Sequence, residues 1–209
     1  MSIENELKQR YDLDIKPNII AVSKTFPMTA INPLIDHGHL HYGENKVQEA
    51  VEKWTETKNK KKNLKLHMIG KLQTNKVKYV VPLFDYIHSL DNLKLAEKIS
   101  SEQKKANKKL KIFIQVNIGN EDQKNGINKD VVFDFYKKCS TDLDLDIIGL
   151  MCLPPLEKDM TDYFSMMNKL NKSVGLNELS MGMSSDYSEA ISQGATFVRI
   201  GSKIFGQRN

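Results

Sequence analysis

Three groups of residues in this chain have types and spacings suited to chemistry. The first is Lys24, which ends the run Ile19-Ile20-Ala21-Val22-Ser23 and precedes Thr25-Phe26-Pro27. A short, β-branched apolar run reads as a buried parallel strand, and strand alternation points Ile20, Val22 and Lys24 to one face. A lysine there is either a snorkelling surface residue or an amine desolvated on purpose. Desolvation makes its neutral, nucleophilic form available for Schiff-base chemistry. On that stretch alone the snorkelling reading is the simpler one. The other two groups are Ser180-Met181-Gly182 and Arg199-Ile200-Gly201-Ser202. Gly201 lets backbone approach a ligand closely, Ser202 offers a hydroxyl and an amide, and Ser180 adds a second hydroxyl. Ser202 to Phe205 has the length of a short helical turn. Each group alone reads equally well as an ordinary turn.

The elements that must position these groups come from hydrophobic periodicity. Strands are expected at 19–24, 40–42, 64–69, 86–89, 110–118, 145–150, 178–180 and 195–200. Helices are expected at 28–37, 44–57, 74–80, 91–105, 130–139, 159–173 and 184–193, with Thr74 as a cap and Gly194 as a C-terminal stop. A further short helix at Asn5 to Tyr11 would cover the gap left after the last strand, where only Gly201 to Asn209 follow. No composition shift or linker divides the chain. Strand and helix alternate eight times, which argues for a single-domain (β/α)₈ TIM barrel over residues 1–209 rather than a doubly wound sheet.

In such barrels functional groups sit at the C-terminal ends of strands, and phosphate sites are built after strands seven and eight. The strand ends here are Lys24, Gly43-Glu44-Asn45, Gly70 to Asn75, Asn117, Ser180 to Gly182 and Arg199 to Ser202. An aldehyde-reactive amine and a phosphate pocket on one barrel face point to pyridoxal 5′-phosphate (PLP). Arg199 fits as a partner for the cofactor's pyridine nitrogen.

Several blocks carry a family resemblance: Ala21-Val22-Ser23-Lys24-Thr25, Tyr42-Gly43-Glu44-Asn45-Lys46-Val47-Gln48-Glu49, and His67-Met68-Ile69-Gly70-Lys71-Leu72-Gln73-Thr74-Asn75-Lys76. Gln115 to Ile118, Gly149-Leu150-Met151, Leu179 to Ser184 and Val198 to Gly201 extend it. Together they resemble the pyridoxal phosphate homeostasis proteins, single-domain relatives of alanine racemase, in the right order over nearly the whole chain. The resemblance implies a fold type III barrel with the cofactor held as an internal aldimine on Lys24. It also implies Arg199 at the pyridine nitrogen, Ser180, Gly201 and Ser202 at the phosphate, and Asn45 lining the pocket. Several relatives carry threonine where Ser202 stands, and many carry proline where Lys71 stands.

Alanine racemases add a β-domain and a tyrosine from a partner subunit, and no tyrosine here matches that motif. The expected role is therefore to hold PLP within cellular vitamin B6 homeostasis without robust turnover. A slow amino-acid racemase using Lys24 as its only base is the alternative. The expected partners are PLP, amino acids and PLP-dependent apoenzymes, with no membrane, and the chain is expected to act as a monomer.

Composition narrows the field further. The chain has 31 Lys+Arg against 26 Asp+Glu, a net charge of +5, which raises nucleic-acid binding as a question. Much of the excess lies in the runs Lys58 to Lys65 and Lys104 to Lys111, which lack aromatic or arginine interleaving and read as solvated helix ends. No apolar run reaches membrane-spanning length and no signal peptide is visible, so the expected location is the cytoplasm. Cys139 and Cys152 read as reduced thiols without metal spacing. His37, His39 and His41 are spaced two apart, but Gly38 interrupts them and no carboxylate or cysteine partner is apparent, so no metal site is expected. His67 is expected to point into the barrel, in a core or supporting role.

Overall fold

The computed structural model describes residues 17–121, 123–155 and 160–207. Eight parallel strands follow one another around a closed barrel: β1 (Asn18–Val22), β2 (His41–Glu44), β3 (Lys65–Met68), β4 (Tyr86–Leu90), β5 (Lys111–Val116), β6 (Asp146–Cys152), β7 (Glu178–Met183) and β8 (Phe197–Ile200). Closure comes from β1 against β8, with Ile20 opposite Arg199 and Ala21 opposite Ile200. The helices among the described residues are α1 (Met28–Asp36), α2 (Val47–Lys60), α3 (Val77–Leu83), α4 (Leu93–Ala106), α5 (Val132–Lys137), α6 (Thr161–Ser173), α7 (Tyr187–Ser192) and α8 (Ser202–Phe205). The (β/α)₈ expectation is met. The expected helix at Asn5 to Tyr11 and the Asp159 start of α6 lie outside the described residues. No helix among the described residues is long and apolar enough to cross a membrane.

Element ends differ from the sequence reading where local chemistry competes. Thr74 opens a 3₁₀ turn (Thr74–Lys76) without a side-chain cap, ahead of α3. Helix α4 starts after Asn92, not Asp91, because the Asn92 side chain accepts the Leu95 N–H at 2.9 Å. The segment expected as one helix at 130–139 is a 3₁₀ turn, then α5, then a π-helical stretch over Lys138–Asp142. Gly194 closes α7 at φ +94° as expected.

Alternation along each strand sorts side chains into two compartments. Outward-facing residues such as Ala21, Leu66, Met68, Ile112, Ile114 and Val198 pack under the helices with Ile31, Trp54, Val80, Ile99 and Phe164. Inward-facing Ile20, Tyr86, Phe113, Met151 and Phe197 form a separate apolar cluster inside the barrel. The lysine runs sit at helix ends and connections, paired with carboxylates: Lys58 with Asp85, Lys60 with Glu56, Lys61 with Asp36, Lys105 with Glu102 and Lys109 with Asp144. Lys60, Lys61, Lys105 and Lys109 are solvated as the composition suggested, whereas the Lys58 side chain is only 13% exposed.

Candidate functional site

Lys24 does not continue β1; it stands in the turn that follows the strand. That turn is clamped on both sides by α2. Lys53 Nζ donates to the Ser23 carbonyl at 2.8 Å, and Glu49 accepts the Thr25 N–H, with Thr25 held at φ 68°. Beneath it, fully buried Glu44 takes the Ser23 hydroxyl at 2.8 Å, the Trp54 indole N–H at 2.9 Å and the Lys53 ammonium at 2.7 Å. A buried carboxylate persists only when so paired. The network thereby fixes the backbone on either side of Lys24.

The β7 end is shaped by a bulge. Ser180 pairs with Phe197 but Met183 pairs with Arg199, so one extra residue is inserted in β7. Gly182 absorbs the kink at φ +90°, and a Cβ there would lie 2.6 Å from Ala190 Cβ. The strand therefore runs to Met183 and delivers Ser184 and Ser185, rather than Ser180, to the barrel mouth. Ser184 Oγ accepts the Gly201 N–H at 3.2 Å, tying the β7 and β8 loops together. At the β2 and β3 ends, Gly70 passes so close to Asn45 that a Cβ would meet its carbonyl oxygen at 2.4 Å. This close approach sets Asn45 at the mouth.

These ends surround a cavity of about 810 Å³. Lys24, Asn45, Arg199, Gly201 and Ser202 line it, as the sequence reading expects of site residues. Ser180 does not. Its side chain is fully buried one pleat below the mouth, and its hydroxyl lies between Arg199 and His88. The physical reason is register: Ser180 lies opposite Phe197, the first residue of β8, and β7 continues past it to Met183. Sequence reading missed Ser184, Ser185 and Lys203, which also line the cavity. The signal available was the glycine ahead of two consecutive serines and a lysine beside Ser202.

The donor set is strongly one-signed. Lys24, Lys203 and Arg199 line the cavity with no aspartate or glutamate among the described lining residues. Lys203 also reaches the Tyr187 hydroxyl at 3.3 Å and lies over its ring. Arg199 is anchored from below, donating from Nη1 to Ser180 Oγ at 2.6 Å and from Nη2 to the Cys152 carbonyl at 2.9 Å. Burial pulls its pKa down from the free value while Cys152 and Asp186 oppose that shift. Guanidinium is donor-only with five N–H groups, so hydrogens remain for a cavity ligand. Phe26 packs on Phe205 at 5.1 Å between ring centres, joining the β1 turn to α8.

Other candidates fall away from the cavity. His37 caps the C-terminus of α1, His39 hydrogen-bonds the His41 carbonyl at 2.9 Å, and His41 turns towards His67, so the three do not converge. His67 is buried inside the barrel, as expected. Cys139 and Cys152 are free and buried, and burial pushes both thiols up to about 12.

The family model for the alanine racemase N-terminal domain matches residues 5–209. A pyridoxal phosphate homeostasis protein from Aquifex aeolicus is 38% identical over 91% of this chain and 86% of that protein. The chain belongs to the pyridoxal phosphate homeostasis proteins. Among solved structures, PipY of Synechococcus elongatus superposes with a TM-score of 0.88 without PLP and 0.86 with PLP bound. It is 32% identical, with 97% of each chain covered. Alanine racemase of Clostridium difficile, at 15% identity and TM-score 0.74, shares the fold over 98% of this chain and 55% of its own. The pyridoxal phosphate homeostasis family thus accounts for both the barrel and the motifs quoted above.

Proposed function

We propose that this chain holds pyridoxal 5′-phosphate on Lys24 and serves intracellular vitamin B6 homeostasis without robust catalytic turnover. The observation that carries the reading is the lining of the cavity: two amines, a guanidinium and three hydroxyls, with no carboxylate among the described residues. That donor set fits a dianionic phosphate ester bearing an aldehyde. When bound, PLP supplies an amine-reactive aldehyde and a ring able to take up electron density from an amino acid's Cα.

Each residue has a task in this reading. Lys24 provides the attachment amine, held by the Glu44, Glu49 and Lys53 clamp on its turn. Ser184, Ser185, Ser202 and the Gly201 backbone receive the phosphate, and Lys203 adds charge. Ser180 supports Arg199 rather than reaching the phosphate itself. Asn45 would contribute a polar group to the cofactor's surroundings, and Phe26, Ile69 and Leu153 would supply apolar walls that exclude water. Arg199, a donor-only group, would hold the pyridine nitrogen and disfavour its protonation.

Turnover is limited by what the cavity lacks. No tyrosine, histidine, cysteine or carboxylate lines it among the described residues, so the amines of Lys24 and Lys203 are the bases it offers there. The protein accordingly exchanges PLP with amino acids and PLP-dependent apoenzymes in the cytoplasm, acting as a monomer. The test is Cα deuterium exchange of several L-amino acids with the PLP-loaded protein, followed by chiral analysis. Visible absorbance changes with negligible deuterium uptake are expected. Racemisation at about 1–1000 per second, an ordinary enzyme rate, would overturn the reading.

A further inference from the structure

Inside the barrel, five side chains from five strands stand in single file. His41 Nδ1 lies 2.9 Å from His67 Nε2, and His67 Nδ1 lies 2.9 Å from His88 Nε2. His88 Nδ1 lies 2.8 Å from Ser180 Oγ, which lies 2.6 Å from Arg199 Nη1. His41 is half-buried at the start of β2, His67, His88 and Ser180 are fully buried, and Arg199 opens onto the cavity. The file therefore runs from the N-terminal end of the barrel to the candidate site. Aromatic plates hold it in line: His67 stacks on Tyr86 at 4.2 Å and His88 on Phe113 at 4.4 Å between ring centres.

Donor chemistry leaves one proton arrangement that satisfies every contact. Arg199 can only donate, so Ser180 Oγ accepts from it. The remaining partner of the Ser180 hydroxyl is His88 Nδ1, which must then accept. A neutral histidine that accepts at Nδ1 carries its hydrogen on Nε2, so His88 donates to His67 Nδ1. By the same step His67 donates to His41 Nδ1. The opposite order would aim both Arg199 and His88 N–H groups at Ser180 and strand a buried hydroxyl hydrogen. Neutrality has its own cause. Burial first, then the neighbouring histidines, hold His67 well below its ordinary pKa. Burial and then Arg199 do the same to His88. At His41, burial, His39 and Lys65 outweigh Asp85 and bring the value to about 4.

We propose that His41, His67 and His88 form a one-way hydrogen-bonded string, each neutral with its proton on Nε2, that presents Ser180 as an acceptor to Arg199 and so positions the guanidinium in the cavity. The three are positioning residues and touch no ligand themselves. Only the consequence for cofactor affinity rests on the PLP reading; the tautomers are a property of the chain alone.

The test has two arms. The full chain is labelled with ¹⁵N-histidine, and long-range ¹H–¹⁵N correlation spectra are recorded at neutral pH without added PLP, with single variants for assignment. His41, His67 and His88 are each expected to show a protonated Nε2 and an unprotonated Nδ1. An Nδ1–H tautomer or an imidazolium at any of the three would overturn the string. In the second arm, PLP is titrated into His88→Phe, which keeps the ring stack but has no acceptor, and into His88→Asn, whose oxygen replaces Nδ1. The dissociation constant is expected to rise about tenfold in His88→Phe and to stay within about twofold in His88→Asn. A Phe variant that binds as tightly as the parent would overturn the positioning role. Should His88→Phe fail to fold, the spectra of the unaltered chain still decide the string. A chain with the stated tautomers that binds no PLP would instead contradict the function proposed above.

Discussion

The barrel interior and the shell between barrel and helices are built from alternate residues of the same strands, yet they solve different problems. On β8, Val198 and Ile200 face the helices while Phe197 and Arg199 face inward; on β3, Leu66 and Met68 face outward and His67 inward. The shell is apolar and held by burial, which needs no directional match beyond close packing. The interior holds an apolar cluster threaded by histidine, serine and arginine, and each of these polar groups requires a correctly placed partner. Stability is concentrated in the shell and positional accuracy in the interior.

Acid should separate the two most strongly. The interior histidines are held neutral, below the ordinary value of 6.5, so the unfolded chain binds protons that the folded chain refuses. Stability is then full above about pH 6.5 and falls as pH drops through the window towards 4. Each such histidine contributes at most about 1.4 kcal/mol per pH unit. Urea denaturation across that range should show a positive slope of stability with pH. His67→Phe should flatten it; an unchanged slope in that variant would break the assignment to the interior.

The shell should respond to truncation instead. Phe164→Ala, at a fully buried position on α6, should cost about 3–5 kcal/mol in urea denaturation while leaving the PLP affinity of the folded protein within about twofold. Affinity that falls in step with stability would mean the two regions are coupled. Lys53→Met probes a place where shell and site meet. It strips buried Glu44 of its cation and the Ser23 carbonyl of its donor, and should cost about 3 kcal/mol while also slowing covalent capture at Lys24. Normal capture in that variant would remove the clamp from the account. The smallest effect belongs to the exposed rim: Ser202→Ala removes one hydroxyl and should weaken PLP binding by about 1–1.5 kcal/mol with no change in stability. A bulky side chain at Gly201 should weaken binding more, because a Cβ there meets only ordinary contacts with Val22, 3.5 Å away, and further atoms must enter the cavity. Unchanged affinity in both variants would take this rim out of the phosphate site.

Much of this was legible in the sequence, for reasons that follow the same division. Two-residue alternation and strand–helix recurrence reveal the shell, and so the barrel and most strand ends, because burial leaves a local pattern. That Lys24, Asn45, Arg199, Gly201 and Ser202 share one cavity is legible because strand ends of this fold converge. Ser180 lies below the mouth because β7 continues through Met181, Gly182 and Met183, a continuation that a glycine between methionines does not announce in the local pattern. The histidine string was invisible for a different reason. His88 and Ser180 are 92 residues apart and meet only across the closed barrel, and a buried histidine in a strand looks the same whether or not it has a partner.

The claim on which the account turns is that Lys24, and not the neighbouring amine of Lys203, is the residue that holds PLP. Both line the same cavity. Borohydride reduction of the PLP-loaded chain followed by peptide mapping distinguishes them directly. The account predicts a single phosphopyridoxyl-modified peptide containing Lys24, lost in Lys24→Ala. A modified peptide containing Lys203, or a label that survives Lys24→Ala in equal yield, would contradict it.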